Sequence, residues 1–386
     1  MSQKPITITG GGLGGLALGR CLKQRGISSI IFERVSASPR HHYAMTLHPS
    51  AYRPLLKVLG IDETVFRNRV SVKKGAERAP AQLQGDAGAN LGSSFRAHRA
   101  TLEALLREGL DVQFEHSLES AKIENGHINL SFENGRKITC ELLVVADGVH
   151  SAARKSLVPE AKLKVLPFVV FNGKRKIKRS HYDKLYATVL DETTTAEILI
   201  GDRLLQISVN EYNDKDDIVN LSYTYSRPAN PAGDALHRPS RPLKGTSEIP
   251  SDFYEELAAL RVEQPFADMF DPTKIREKRV LHWLMRTSHV EKRELEGLAE
   301  KGVVMIGDAV HAEPILGGWG GNNALRDAVA LADLIGEQGR RDLTEFVDRK
   351  AREWEFGVGE SEARIERMHE DEERGARQLG ENRSAL

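Results

Sequence analysis

The chain has 386 residues, enough for two domains or one large composite. Its 55 Lys and Arg balance 55 Asp and Glu, and a formal net charge of zero argues against the electrostatic footprint of a nucleic-acid binder. No apolar run approaches the ~20 residues of a membrane helix. The two cysteines, Cys21 and Cys140, make no metal constellation and read as reduced thiols of a cytoplasmic protein without a signal peptide.

In chain order, Ile6–Thr9 is a β-branched run that favours a strand. Leu13, Leu16, Ala17 and Leu22 then recur at helical spacing, Gly26 stops that helix, and residues 27–32 are apolar enough for a second buried strand. The turn between the first strand and the helix spells G-x-G-x-x-G with Gly10, Gly12 and Gly15, enclosing Leu13 and Gly14. Glu33, followed by Arg34, stands where the second strand ends. A glycine turn between strand and helix, with an acid at the next strand end, is a dinucleotide fingerprint in its structural context. The first glycine makes the tight turn, the second lets backbone approach a pyrophosphate, and the third lets helix and strand pack closely. The helix N-terminus offers free N–H groups and partial positive charge to phosphates. Glu33 can accept ribose hydroxyls. Which dinucleotide is bound does not follow from this stretch.

The next run, RVSASPRHHYAMTLHPSAYRPLLKVLG, predicts a loop, a short strand at 45–47 and a helix. RAHRATLEALLREGL predicts an amphipathic helix with Leu102, Leu105 and Leu106 on one side. Hairpin strands follow, with turns at Asn125-Gly126 and Asn134-Gly135, and residues 142–146 read as a buried parallel strand. From about Leu166 the character changes to alternating strands of a mixed or antiparallel sheet. Residues 227–250 hold several prolines and read as an irregular crossing; a charged helical piece and the strand LHWLMRT come next. GVVMIGDAV is a further apolar strand, residues 322–336 are helical, and the charged tail from Thr344 reads as a solvated capping helix.

Two further pieces separate nicotinamide from flavin. VVADGVHSAARKSL places Asp147 and Gly148 at a strand end, with Ser151 and Arg154 after them. MIGDAVHAEPILGGWGGNNALRDA places Asp308 at another strand end, then His311, Pro314 and a glycine cluster opening a helix. A carboxylate at a strand's carboxyl end sits where open α/β sheets bind ligands, and Asp308 suits a polyol such as the ribityl chain of FAD.

With these three motifs in order over nearly the whole chain, the sequence resembles the group A FAD-dependent monooxygenases of the para-hydroxybenzoate and salicylate hydroxylase type, and within them members of natural-product pathways. The resemblance implies an α/β, Rossmann-like FAD-binding domain with an inserted mixed or antiparallel substrate sheet and a C-terminal helix. It divides the chain into 1–165 and 286–343 for the FAD domain, 166–285 for the inserted sheet with a contribution from about 70–95, and 344–386 for the charged tail. By position, Gly10, Gly12, Gly15 and Glu33 match the ADP motif. Arg99 matches an FAD-contacting arginine, whose guanidinium suits a pyrophosphate. Asp147 and Gly148 match the D-G motif, Asp308 the ribityl aspartate, and Gly318, Gly320, Gly321 and Asn322 the loop at the flavin ring. Three places depart from the family. Pro314 comes one residue early, with Ile315 in the usual place. Trp319 replaces a glutamine. HHYAM follows Arg40 where a glycine-containing segment is usual.

The resemblance further implies reduction of FAD by NADPH or NADH and oxygen transfer, through a flavin C4a-hydroperoxide, to an electron-rich aromatic, indole-like or alkene small molecule. The chemistry is centred on the cofactor, so no catalytic triad or metal is expected. His42, Tyr43 and Glu313 are the weak catalytic candidates; Glu313 reads first as a solvent-facing loop carboxylate, a proton relay being the alternative, and His311 as structural. Phe168, Val170, Asn172, Leu199, Trp283 and Met285, with Pro314 and Trp319, are candidate substrate walls, though each singly also suits ordinary core. The competing functions are a flavin oxidoreductase or cyclase without oxygen insertion and a non-catalytic flavin redox sensor. A halogenase W-x-W-x-I-P stretch is not found. No nucleic-acid or membrane partner is expected, and monomer and homodimer stay open.

Overall fold

The computed structural model describes residues 4–38, 41–73, 94–191, 193–339 and 343–370. Arg40 and most of the 70–95 stretch, assigned above to the inserted sheet, lie outside the described residues, as do 371–386. The chain divides into two compact units. The first takes the described residues up to Ser71, those from 94 to Lys164, and Arg286–Glu362; the second takes Val72 and Lys73, Val165–Met285, and the residues after Glu362.

The first unit opens with β1 (Ile6–Thr9), α1 (Leu13–Gln24), β2 (Ser29–Phe32), β3 (Ala44–Leu47), α2 (Pro49–Leu59) and α3 (Glu63–Val70). It continues with β4 (Phe95–His98), α4 (Arg99–Arg107), β5 (Asp111–Gln113), β6 (Leu118–Glu124), β7 (His127–Phe132), β8 (Lys137–Cys140), β9 (Leu143–Val145) and α5 (Ala152–Leu157); β10 (Lys164–Val165) lies where the chain changes units. The second unit holds β11 (Phe168–Lys178), α6 (Arg179–Leu185), α7 (Ala187–Leu190), β12 (Thr195–Ile200), β13 (Arg203–Asn213), β14 (Ile218–Pro228), α8 (Ser251–Ala259), α9 (Phe266–Met269), α10 (Pro272–Arg276) and β15 (Val280–Trp283). The chain then returns through β16 (Arg286–His289), α11 (Lys292–Ala299), β17 (Val303–Met305), β18 (His311–Ala312), α12 (Gly320–Gln338) and α13 (Thr344–Met368).

The core of the first unit is a parallel sheet in the order β17-β9-β1-β2-β5. Strands β9 and β17 read as unbroken apolar runs because both faces are covered; Leu143, Val144, Val145 and Val303 are fully buried. The second strand starts two residues later than its sequence suggests. The Gly26 N–H bonds the Lys23 carbonyl and the Ile27 N–H the Leu22 carbonyl, so Ile27 closes α1 as part of a Schellman cap. The Asn125-Gly126 turn joins β6 and β7 with both residues at positive φ, 51° and 75°, as a two-residue hairpin turn requires.

The sheet of the second unit is antiparallel, in the order β12-β13-β14-β11-β15. Strand alternation sends its two faces to different tasks. On one, Phe171 stacks against Phe253 of α8 with ring centroids 4.1 Å apart, beside buried Tyr225 and Leu205. On the other, Leu199, Leu204, Ser226, Val170 and Trp283 lie opposite one another in register across all five strands. The charged tail is not a solvated cap. Along α13, Phe346, Val347, Ala351 and Trp354 are at most 4% exposed, an amphipathic stripe that its many charges conceal in the sequence.

Phe171→Ala removes a fully buried ring, and such truncations cost about 3–5 kcal/mol. Chemical denaturation should show a clearly lower midpoint for this variant, whereas Phe356→Ala, at a position 70% exposed, should leave it unchanged.

Candidate active site

The candidate site gathers at the carboxyl edge of the parallel sheet, where β1, β9 and β17 end. Gly10 holds φ +101°, and a Cβ there would collide with the Ala146 carbonyl. A Cβ on Gly15 would strike the Gly10 carbonyl oxygen. Gly12 differs: a Cβ there meets nothing within 4 Å, so the backbone faces open space. Gly12 is the N-cap of α1, whose first N–H groups point out of the helix, and its conformation is extended. A pyrophosphate fits this cradle of bare backbone and free donors. Gly14 packs its Cα side against Ala324, while Leu13 is buried in the core. Glu33 accepts the Gly11 N–H at 2.6 Å and the Val35 N–H at 3.1 Å, which fixes its carboxylate beside the turn with lone pairs to spare.

Asp147 caps α5, its Oδ2 accepting the Ala152 and Ala153 N–H groups at 2.9 and 3.3 Å, while its Oδ1 is buried without a partner among the described residues. Burial pushes its carboxyl above the usual range. Gly148 follows at φ +81°. Arg154 joins this segment to the next motif. Its guanidinium, 1% exposed, donates to the carbonyls of Asp308 (3.1 Å), Ala309 (2.9 Å) and Val149 (2.6 Å). One buried cation thus sets the D-G and G-D turns at a fixed separation.

Asp308 is half-buried, and its carboxylate accepts no hydrogen bond among the described residues. Burial pushes its pKa up. A Cβ on Gly320 would come within 3.2 Å of Asp308 Oδ1, so the glycine loop leaves that oxygen uncovered. An acceptor in this state suits a hydroxyl-rich ligand such as a ribityl chain. Gly318 takes the left-handed conformation at φ +71°. A Cβ on Gly321 would strike Met45, so this glycine serves packing. Asn322 is fully buried; its Oδ1 accepts the His48 N–H at 2.9 Å, and its amide donates to the carbonyls of Thr46 (3.0 Å) and Gly318 (3.1 Å). Its side chain therefore clamps the glycine loop to the end of β3. Trp319, beside the clamp, stacks on His48 at 4.2 Å, and Pro314 is buried.

Arg99 donates through Nε to Glu103 at 2.8 Å and through Nη1 to the Tyr43 hydroxyl. Glu103 also meets His41 Nδ1 at 3.2 Å. The HHYAM segment is thereby held by charge, and the Arg99 fork is shared with its own helix. His42 lies 6.2 Å from the His98 ring. Arg34, Lys155 and Arg286 make no ion pair among the described residues, and with Arg154 they surround His150. Burial first, then these cations, pushes the His150 pKa down to about 4.

Glu313 is not solvent-facing. Its side chain is 2% exposed, accepting from Asn323 Nδ2 at 2.5 Å and Ser361 Oγ at 3.1 Å. The sequence concealed this because one partner is far away on α13. Asp327 and Trp354, which pack with His311, and Lys350, which meets Asp327, were missed as well; the signal was Asp327, an acid among the apolar positions of the run ALRDAVALADLI, which also carries Arg326 and Asp333. The candidate wall residues Phe168, Val170, Asn172, Leu199, Trp283 and Met285 all belong to the second unit. Asn172 spends its amide on the Tyr223 carbonyl and Thr224 Oγ1, both at 3.0 Å, Met285 is fully buried, and Leu199 is 36% exposed.

Gly12→Val tests the cradle. The open space at Gly12 leaves the fold of this variant intact, so its melting temperature without cofactor should match the parent, while FAD affinity in a fluorescence titration should fall by about a hundredfold or more, roughly 3 kcal/mol.

The match to the FAD binding domain family spans residues 3–345. FAD-dependent monooxygenase vrtH of Penicillium aethiopicum is 31% identical over 95% of this chain and 93% of its own length. FAD-dependent monooxygenase adaC of Aspergillus niger is likewise 31% identical, with the same coverage. Among solved structures, 2,6-dihydroxypyridine-3-hydroxylase from Arthrobacter nicotinovorans shares the fold at a TM-score of 0.70 and 15% identity, over 95% of this chain and 93% of that one. The glycine cradle, the uncovered aspartate and these likenesses converge: the chain belongs to the FAD binding domain family and is an FAD-dependent monooxygenase.

Proposed function

We propose that this monooxygenase hydroxylates or epoxidises an electron-rich small molecule of a natural-product or aromatic-compound pathway, with NADPH or NADH and O2 as co-substrates. The observation that carries the reading is the pairing of the open backbone at Gly12 with the carboxylate of Asp308, unpartnered among the described residues, on one sheet edge. That pair suits the pyrophosphate and ribityl parts of FAD, and the relatives vrtH and adaC are FAD-dependent monooxygenases. Bound FAD would supply the redox and oxygen chemistry, which no amino-acid side chain provides. The chain's own residues bind and orient: α1 and Gly12 the pyrophosphate, Glu33 the adenosine ribose, Asp308 the ribityl hydroxyls, and the Asn322 clamp the glycine loop beside the ring.

The unpaired Arg34, Lys155 and Arg286 around neutral His150 support a second assignment, the docking of the reductant's phosphates. Among the described residues no helix is long and apolar enough to cross a membrane. Cys21 and Cys140 are free and buried, with burial pushing their thiols up to about 12 and 11, which supports action in the reducing cytoplasm.

The experiment is product mass spectrometry under labelled O2 with NADPH and a panel of flat phenols and indoles. Incorporation of one labelled oxygen atom supports the proposal; reductant consumption yielding only peroxide, or an unlabelled product from every substrate, favours the oxidoreductase or cyclase alternative. Asp308→Ala removes an acceptor worth about 1–3 kcal/mol, so FAD affinity should fall about tenfold or more. Arg286→Ala should raise the KM for NADPH severalfold while FAD affinity, measured by titration, stays unchanged.

A further inference from the structure

Beneath the Gly307–Asp308 turn lies a set of four buried charged side chains that cofactor binding does not itself require. His311 is 1% exposed; its Nε2 is 2.7 Å from Asp327 Oδ2, its Nδ1 is 3.8 Å from Glu313 Oε1, and its ring stacks on Trp354 at 5.4 Å. Asp327 Oδ2 also accepts the Gly307 N–H at 3.0 Å. Asp327 Oδ1 takes the Trp354 indole N–H at 3.0 Å and lies 3.2 Å from Lys350 Nζ. Two carboxylates, one imidazole and one ammonium sum to zero only while His311 carries its second proton.

We propose that His311 is a positioning residue for FAD: as an imidazolium it balances Asp327 and Glu313, and so holds the Gly307–Asp308 turn in the geometry that presents Asp308 to the cofactor. This rests on the reading of Asp308 as a ribityl ligand. The chain of contacts is continuous, from His311 to Asp327, from Asp327 to the Gly307 N–H, and so to the residue next to Asp308. Unbalanced charge at this depth is costly, so the set resists any arrangement that separates its members.

The groups facing His311 come from four elements and the loop after β18. Asp327 belongs to α12 and Lys350 to α13; Glu313 follows β18, and Asp308 lies in the turn. His289 sits opposite in register on β16, and burial pushes its pKa down. Lys350 also meets Glu353 at 2.6 Å, and Glu355 acts on His289. Burial alone would lower the His311 pKa; Asp327 and then Glu313 overcome it and bring it up to about 9. A raised histidine pKa means that the contribution is complete below about 6.5 and is lost as pH rises through about 9. Once the proton leaves, Nε2–H can still donate to Asp327, but Nδ1 turns a lone pair toward Glu313. The buried set is then left with one negative charge in excess. That excess lies beside the Gly307–Asp308 turn, and the balance that holds Asp327 against the Gly307 N–H is lost.

The test is FAD affinity by fluorescence titration from pH 6 to 10, on wild type, His311→Gln, Glu313→Gln and the double variant, with the melting temperature of each cofactor-free protein alongside. Wild type should bind evenly to pH 8 and lose about tenfold by pH 10, the size of one charge-assisted hydrogen bond. His311→Gln keeps a donor for Asp327 but no charge; it should bind about tenfold more weakly at pH 7 and show no such alkaline loss. Adding Glu313→Gln to it removes the excess charge and should restore affinity to within about threefold. A histidine that only fills space would not be rescued by removing a charge beside it. Glu313→Gln alone should move the alkaline midpoint from about 9 toward the ordinary histidine value, and this variant decides the matter if His311→Gln fails to fold. Wild-type affinity in His311→Gln, an unrelieved loss in the double variant, or an unmoved midpoint in Glu313→Gln overturns the proposal. Failure of the wild type to take up FAD at pH 7 would instead overturn the cofactor reading of the site.

Discussion

Backbone meets backbone at the carboxyl edge of the parallel sheet, and the rest of the site is arranged around that contact. Gly10 touches the Ala146 carbonyl across β1 and β9, and Gly15 touches the Gly10 carbonyl across the turn into α1; no side chain fits at either place. Because β1, β9 and α1 close to this distance, the first N–H groups of α1 face an opening instead of a packed wall. The opening is bounded by Glu33 on one side and, through the Arg154 guanidinium, by the Asp147 and Asp308 turns on the other. The donors and acceptors at this edge are held apart by rigid neighbours, so they cannot collapse onto one another.

Three aspartates at this edge have different environments and different fates. Asp147 spends one oxygen on the N-terminus of α5 and leaves the other unpartnered. Asp308 has no partner among the described residues, and burial pushes its pKa up. Asp327 has four partners, and although burial opposes it, His311 and Lys350 push its pKa far down. The fully satisfied one maintains the geometry, and the unsatisfied ones have capacity left for a ligand.

What could be read from the sequence was what short-range rules govern. The strand, glycine turn and helix at residues 6–24 follow from β-branching, positive φ and helical spacing within one window. The Asn125-Gly126 hairpin follows from its turn residues alone. What could not be read depended on distant partners. Glu313 looks exposed beside Pro314 until Ser361 closes over it. α13 looks solvated because Lys350 and Glu353 interrupt its apolar stripe, yet Lys350 is itself buried in service of Asp327. Asn322, matched to the flavin loop by position, proved to be a clamp whose side chain is spent on His48, Thr46 and Gly318, which spacing along the chain cannot express.

The reach of α13 back to the Gly307 turn has a consequence for how the protein is made. A ribosome releases the glycine cradle well before the helix carrying Lys350, Trp354 and Ser361. The central strands come from residues 6–9, 143–145 and 303–305, so the sheet gains its β17 edge only after some three hundred residues have been synthesised. A nascent chain paused before α13 would display every glycine and aspartate of the motifs and still lack the Lys350 and Trp354 contacts to Asp327 that brace the last turn. The turn that carries Asp308 is therefore braced in full only once α13 has joined the rest of its unit.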